Sequence, residues 1–258
     1  MPVCNVYRPK SVRYLVISDI HGNLPALAAV LRDCTPDQYD RVLVLGDLVG
    51  YGAEPGDVIE RIRALAPHVV VRGNHDKAVC GLMELYGFNS HAREAAEWTA
   101  RTLSEGQLAY LRDLPAGPML VDDVLEVWHG SPADEDAYLV WIDDIRDAAA
   151  LGRRPLCLFG HTHVQGAYGS GEGHPVVDSG EHRTRTTLSI RLEDRWLVNP
   201  GSVGQPRDGD PRAAYAIVDL GARTVTLCRV AYDVDAEMQA IRAAGLPELL
   251  ASRLAEGR

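Results

Sequence analysis

The sequence predicts an α/β protein, and three observations support that class. Short apolar runs rich in Val, Leu and Ile recur through the first 160 residues, and each is followed by Gly, Asp, Asn or His. Segments with apolar residues at helical spacing lie between these runs. Alternation of strands and helices is typical of α/β proteins. After residue 160 the chain changes to short β-rich segments joined by turns, which predicts antiparallel strands.

The apolar runs of the first half are nearly continuous in apolar character, as expected of strands that are buried on both faces. These predicted core strands are 14–18, 42–45, 69–71, 125–128 and 156–159. The predicted strands of the second half are 186–192, 195–198, 213–219 and 224–230.

Cap residues and apolar spacing predict the helices. Asn23 can cap a helix that has Pro25 in its first turn, and Ser104 and Gln107 form the pattern of a capping box. The other predicted helices are 55–65, 92–102, 138–151 and a last segment from about 234, interrupted at 245–247.

No Ser/Gly/Pro linker divides the chain, so we predict one domain over residues 1–258. Its core spans about 12–230 and is followed by a C-terminal helical segment at about 234–258. The glycine-rich stretch 166–180 is interpreted as a loop or hairpin tip.

Composition excludes several classes of protein. Apolar residues make up 46% of the 258 positions, which excludes a disordered or collagen-like chain. The five cysteines are odd in number, widely spaced and never in a CxxC pair, so a disulfide framework and a zinc knuckle are not expected.

Charge and hydropathy limit the partners. A formal net charge of -10 argues against long nucleic acids and anionic membranes, so a phosphate-bearing substrate must be attracted locally. The sequence shows neither a signal peptide nor an apolar run of membrane-spanning length, which predicts a cytoplasmic protein without a membrane partner.

Polar residues that can carry chemistry follow five predicted strands. Such junctions converge along one rim of an α/β sheet, where ligand sites form. The five segments are Ser18-Asp19-Ile20-His21-Gly22-Asn23, Leu45-Gly46-Asp47, Gly73-Asn74-His75-Asp76, His129-Gly130-Ser131-Pro132 and Gly160-His161-Thr162-His163.

The candidate metal donors in these segments are two carboxylates, one carboxamide and four imidazoles with no thiolate, a set that suits Mn, Fe, Zn, Co or Ni. Seven donors exceed what a single ion with an open substrate position would use. They divide naturally between two divalent ions that share a bridging carboxylate.

The five motifs, in this order, resemble the calcineurin-like metallophosphoesterase superfamily. Together with the segment from Asn199 to Arg207, they are most similar to its small bacterial and archaeal phosphodiesterase-like branch. The resemblance covers roughly residues 12–230. It implies two facing mixed β-sheets flanked by helices, in a four-layer α/β/β/α sandwich.

The resemblance also implies residue roles. The first ion would be held by Asp19, His21 and His163, the bridge would be Asp47, and the second ion would be held by Asn74, His129 and His161. His75 would protonate the leaving alkoxide or stabilise charge on the phosphoryl oxygens, and Asp76 would orient the His75 imidazole. Manganese is the expected metal, with Fe, Zn, Co and Ni as alternatives.

One departure from the family bears on the substrate. Serine/threonine protein phosphatases carry a GDxxDRG signature whose arginine grips the phosphoryl group, whereas this chain has Tyr51 in place of that arginine. We therefore expect a small phosphodiester or nucleotide substrate. Arg207 is a candidate substitute cation, and Tyr51 is either a platform for a base or a packing anchor.

Two other functions stay open at this point. A phosphomonoesterase or phosphoprotein phosphatase could use the same centre, and a non-catalytic metal-binding scaffold could keep the fold alone. The sequence is compatible with diester and monoester substrates, with several divalent ions, and with a monomer or an oligomer.

Overall fold

The computed structural model describes residues 11–170 and 183–258, so the first ten residues and most of the predicted glycine-rich loop lie outside the described residues. The described part contains eleven strands. They are β1 (Arg13–Ile17), β2 (Arg41–Val44), β3 (Val69–Val70), β4 (Met119–Leu120), β5 (Leu125–Val127), β6 (Leu156–Leu158), β7 (Gly166–Gly169), β8 (Arg185–Ser189), β9 (Trp196–Asn199), β10 (Ala213–Asp219) and β11 (Thr224–Val230).

The strands form two mixed sheets. The first has the order β3-β2-β1-β10-β11-β8, with β1, β2 and β3 parallel and the other pairs antiparallel. The second has the order β4-β5-β6-β9-β7, with β5, β6 and β9 parallel. In each sheet the parallel strands therefore end at the same edge.

Eight α-helices accompany the sheets in the described residues. They are α1 (Leu24–Asp33), α2 (Pro55–Ala64), α3 (Asn74–Val79), α4 (Ser90–Thr102), α5 (Glu105–Asp113), α6 (Ile142–Leu151), α7 (Val234–Ala243) and α8 (Glu248–Ser252). The predicted caps are present, since the Asn23 side chain accepts from the Ala26 amide and Ser104 forms a capping box with Gln107. Within the described ranges, no helix is long and apolar enough to cross a membrane.

The two sheets pack face to face. Tyr14 and Val16 of the first sheet share a buried cluster with Leu125 and Leu158 of the second. Alternation along β1 sends Leu15 to the opposite face, where it packs against helical residues of α1 and α2. The outer face of the second sheet packs against α6. This arrangement confirms the predicted two-sheet sandwich flanked by helices.

Three local expectations differ from the structure. The stretch 166–180 begins with strand β7, because Gly166–Gly169 pairs with β9, and its remainder beyond Ser170 lies outside the described residues. Helix α6 begins at Ile142 and not at Tyr138, because the Asp144 carboxylate accepts from the Trp141 amide and caps the helix there. Helix α3 had no predicted counterpart.

Candidate metal centre

Five strand-to-loop junctions meet at one rim of the sandwich, as the sequence predicts. Strands β1, β2 and β3 of the first sheet lead to Asp19, Asp47 and Asn74, and strands β5 and β6 of the second lead to His129 and His161. All five side chains are buried. The rim therefore collects polar side chains from both sheets.

The backbone at these junctions is unusual. Five predicted ligands have left-handed backbone conformations, with φ between 52° and 66°: Asp19, His21, Asp47, His161 and His163. Each such residue costs of order 1–2 kcal/mol and persists where the surrounding structure fixes it. The loops fix each other, since the amides of Asp19 and His21 donate to the carbonyls of Gly46 and Asp47 at 3.0 Å.

The first group of donors comprises Asp19, His21, Asp47 and His163, whose ligand atoms lie within 4.8 Å of one another. The Nε2 atoms of His21 and His163 are 3.0 Å apart. His163 Nε2 lies 3.4 Å from Asp19 Oδ1, and His21 Nε2 lies 3.5 Å from Asp47 Oδ2.

The second group comprises Asp47, His129 and His161, again within 4.8 Å. His129 Nε2 lies 3.1 Å from His161 Nδ1, 3.4 Å from Asn74 Oδ1 and 3.5 Å from Asp47 Oδ2. The Asp47 carboxylate thus belongs to both groups, which is the arrangement of a bridging ligand.

The four imidazoles are oriented by backbone carbonyls. Nδ1 of His21 bonds the Val49 carbonyl at 3.1 Å, and Nδ1 of His129 bonds the Leu45 carbonyl at 2.7 Å. His163 Nδ1 bonds the Gln205 carbonyl at 2.5 Å. A ring nitrogen facing a carbonyl must carry a proton, so in a neutral ring the other nitrogen presents its lone pair to the centre.

His161 is oriented in the opposite sense. Its Nε2 donates to the Asp136 carbonyl at 3.0 Å, which turns Nδ1 toward His129. Both tautomers therefore aim unprotonated nitrogens inward. Metal-binding histidines in proteins are commonly oriented in this way, with the second ring nitrogen donating to a carbonyl.

The donor set fits divalent ions. Two imidazole nitrogens 3.0 Å apart, each with its proton committed elsewhere, repel one another unless a cation lies between them. Burial raises the pKa of Asp19 to about 7 and lowers the pKa values of His21 and His163 well below the ordinary range. A cation would relieve the cost of the buried carboxylate.

The surroundings of His129 also favour a positive charge. Burial alone would lower its pKa, but the nearby Asp47 and Asp19 carboxylates outweigh burial and raise the pKa to about 10. In the metal-free protein a proton on His129 therefore takes the place of a cation, and metal binding must displace that proton.

His75 lies beside the donor groups without joining them. Its amide donates to Asp47 Oδ1 at 2.8 Å, and its ring makes an edge contact with His21 at 4.9 Å and packs on Tyr51 at 4.4 Å between centroids. Burial lowers the pKa of His75 to about 4, so the imidazole is neutral. Its Nδ1 has no hydrogen-bond partner among the described residues.

The hydrogen bonds of Asp76 differ from those expected of a residue that orients the His75 imidazole. Its Oδ1 accepts from the amides of Leu48 and Val49 at 2.9 and 3.3 Å, and its Oδ2 accepts from the Gly73 amide at 2.9 Å. No hydrogen bond joins it to His75, because α3 turns the Asp76 side chain back onto the loop after Asp47. Asp76 therefore ties the second and third junctions together.

The two predicted substrate-contact residues lie together at the rim. Tyr51 is 7% exposed and packs on His21 at 4.6 Å, so it is chiefly a packing anchor. The Arg207 guanidinium lies 5.8 Å from the Tyr51 ring centroid, and the Arg207 amide donates to the His163 carbonyl at 3.1 Å. Arg207 makes no ion pair with a carboxylate in the described ranges, so its charge is available at the rim.

A cleft of about 230 Å³ opens next to His75. Its walls include Tyr51, Met83, Phe88 and Tyr138 together with the predicted ligands Asn74 and His161. Neither Phe88 nor Tyr138 was predicted from the sequence to line the site. Tyr138 stacks on His161 with centroids 3.7 Å apart, and no local motif announces that contact.

The turn from Asn199 to Ser202 supports the junctions from behind. Asn199 Nδ2 donates to the Gly160 carbonyl at 3.0 Å, and Ser202 Oγ donates to the Asp19 carbonyl at 2.7 Å. The segment is therefore a structural turn beside the junctions of Asp19 and His161.

Several known proteins are similar to this chain in sequence, and one of them is also similar in its crystal structure. Residues 12–223 match the family described as the Calcineurin-like phosphoesterase superfamily domain. A metallophosphoesterase from Sphaerobacter thermophilus, known from its crystal structure, is 40% identical with a TM-score of 0.84, over 96% of this chain and 100% of that one. An uncharacterized protein of Methanocaldococcus jannaschii is 35% identical over 249 residues, 94% of this chain and 97% of that protein. Phosphodiesterase YfcE of Escherichia coli is 24% identical over 217 residues, 81% of this chain and 88% of that protein.

Proposed function

The chain belongs to the calcineurin-like phosphoesterase superfamily and is a hydrolytic phosphoesterase, and from that premise we propose that it hydrolyses small phosphodiesters or nucleotides with two divalent ions. One observation carries the binuclear proposal. The Asp47 carboxylate lies within 4.8 Å of two separate groups of buried donors. A single ion would leave one of these groups uncompensated.

The ligand sets follow from the two groups. Asp19, His21 and His163 would hold the first ion, and Asn74, His129 and His161 would hold the second, with Asp47 between them. The bound ions would supply Lewis-acid stabilisation of the phosphoryl oxygens and activation of a water. Manganese is the ion to test first.

His75 is the residue proposed to stabilise the leaving group. Hydrolysis breaks the phosphorus–oxygen bond to the leaving group, joins a water oxygen to phosphorus, and passes a proton of that water to the leaving oxygen or to solvent. Nδ1 of His75 faces Gly50, where an added Cβ would lie 2.5 Å away, so Nε2 is the nitrogen left for the substrate. A neutral ring with Nε2 protonated donates a hydrogen bond there and stabilises the negative charge that develops on the leaving oxygen.

The preference for a diester rests on two features. Tyr51 occupies the place of the phosphoryl-gripping arginine of protein phosphatases and is packed against His21, so it presents no cation. The cleft next to His75 offers room for the second ester group, which distinguishes a diester from a monoester. The E. coli relative is named a phosphodiesterase, in agreement with this preference.

The test compares bis(4-nitrophenyl) phosphate with 4-nitrophenyl phosphate after loading with Mn, Co, Ni or Zn. We expect faster hydrolysis of the diester and two bound ions per chain by elemental analysis. Preference for the monoester would favour the phosphomonoesterase alternative, and one ion per chain would contradict the binuclear centre.

His75→Ala tests this role separately. We expect turnover of the diester to fall by about 10² or more while the metal content stays at the wild-type value, because His75 is outside both donor groups. His91→Ala, on α4 and outside the centre, is the matched control. Unchanged turnover in His75→Ala would refute the assigned role.

A further inference from the structure

The cleft next to His75 has walls suited to a flat ring. Phe88 contacts the His75 ring edge-on with centroids 4.8 Å apart, and Tyr138, half exposed, lies stacked on His161. Met83 and Ala92 add apolar surface. At about 230 Å³ the cleft is smaller than the 300–1,000 Å³ of sites for drug-sized ligands, so it has room for one ring system.

One carboxylate lies at the wall of the cleft. The Asp136 side chain, 30% exposed, places it there, with Oδ2 held by Lys77 Nζ at 2.6 Å. Lys77 also pairs with Glu135 at 2.9 Å, and Glu135 pairs with Arg72 at 2.8 Å. These ion pairs fix the position of the Asp136 carboxylate beside the cleft.

A neutral ligand with polar ring edges would be accepted. Asn89 Oδ1 accepts from the Ala92 amide as the cap of α4, which leaves the Asn89 amide group as a donor at the cleft. The Asp136 carboxylate can accept from a ring amino group. Aromatic walls with one donor and one acceptor match the chemistry of a nucleobase better than that of a lipid or a sugar.

We infer that the cleft lined by Phe88, Tyr138, Asn89 and Asp136 binds the nucleobase of a nucleotide substrate, beside the phosphoryl site. This inference rests on the proposed function, because it assigns the substrate class of the same centre. The phosphate lies at the donor groups and the base in the cleft. The cleft-lining residues do not include Arg207, whose guanidinium lies 5.8 Å from the Tyr51 ring centroid.

Calorimetric titration of the Mn-loaded protein with AMP and with ribose 5-phosphate isolates the base, because both probes carry the same phosphate. We expect AMP to bind at least about tenfold more tightly, as stacking of one base on an aromatic ring allows. Phe88→Leu keeps apolar bulk but removes the ring, and should reduce that ratio by several-fold. Tyr86→Leu, whose side chain is 87% exposed two residues away, should leave it unchanged.

Equal affinities for the two probes, or a ratio unaffected by Phe88→Leu, would overturn the inference. Hydrolysis of bis(4-nitrophenyl) phosphate by the same preparation reports on the proposed function independently. A protein that hydrolyses the diester but binds both probes equally refutes the base site alone. A protein that hydrolyses no ester with any ion refutes the proposed function, and the binding ratio still decides the base site.

Discussion

Replacing Asp76 tests whether this residue holds the loops of the centre or serves His75. Its carboxylate accepts three buried amide hydrogens, from Gly73 and Leu48 at 2.9 Å and from Val49 at 3.3 Å. Asp76→Ala would leave all three donors without a partner. A buried donor without a partner costs about 1–3 kcal/mol, so we expect a loss of at least about 3 kcal/mol in the free energy of unfolding.

Asp76→Asn should cost less. Its amide oxygen can still accept from Leu48 and Val49, but its amide nitrogen would face the Gly73 amide, so one hydrogen bond is lost. We expect the free energy of unfolding to fall by about 1–2 kcal/mol. Burial and the Asp47 charge raise the pKa of Asp76 to about 7. Measurements at pH 8 therefore compare the variants with the ionised carboxylate.

The assay is urea denaturation with a chelator present, so that metal binding does not contribute. Asp143→Ala is the control, because the Asp143 side chain is 83% exposed and its removal should change stability by less than about 0.5 kcal/mol. If Asp76→Ala unfolded like the wild type while its turnover fell as far as that of His75→Ala, Asp76 would serve His75 and our assignment would be refuted.

Two further predictions concern backbone packing and pH. Gly73→Ala should weaken metal binding at least tenfold in a calorimetric titration, because a Cβ there would lie 2.5 Å from the Asp47 amide nitrogen and closer still to its carboxylate. Gly106→Ala, with open space around it, should bind like the wild type, and equal affinities would contradict the expected displacement. Burial raises the pKa of Glu237 from 4.5 to about 7, so the folded protein keeps this proton and loses about 3 kcal/mol of stability as the pH rises from 4.5 to 7. Glu237→Gln should remove that loss when urea denaturation at pH 5 is compared with urea denaturation at pH 8, and the exposed variant Glu97→Gln should not. If the free energy of unfolding of Glu237→Gln still fell with pH as in the wild type, the buried acid would not be its cause.

Local sequence patterns predicted the polar residues at the ends of the core strands. A buried apolar run that stops at Asp, Asn or His identifies both a core strand and a polar group at the end of that strand. The runs before Asp19, Asp47 and His129 therefore predicted the rim on which these residues lie. Parallel pairing then brings the ends together without any further information from the sequence.

Local patterns could not predict contacts between segments that are distant in the sequence. The partners of Asp76 depend on how α3 turns after Gly73, and Tyr138 meets His161 only because α6 starts late and leaves the preceding segment extended. Strand β7 was missed because Gly166 and Gly169 are typical of loops, whereas pairing with β9 holds the segment as a strand. In each case tertiary packing outweighs the local preference.

The rim draws its donors from both sheets, and this has a consequence for the lifetime of the protein. Asp19 and Asp47 follow strands of one sheet, while His129 and His163 follow strands of the other. An ion bound there would link the two sheets of the sandwich, and its binding free energy would add to the stability of the fold. At an ion concentration 100 times the dissociation constant the gain is about 2.7 kcal/mol for each site. Scarcity of metal would then reduce the amount of folded enzyme as well as its turnover, and the ion supply would set how long each copy survives proteolysis.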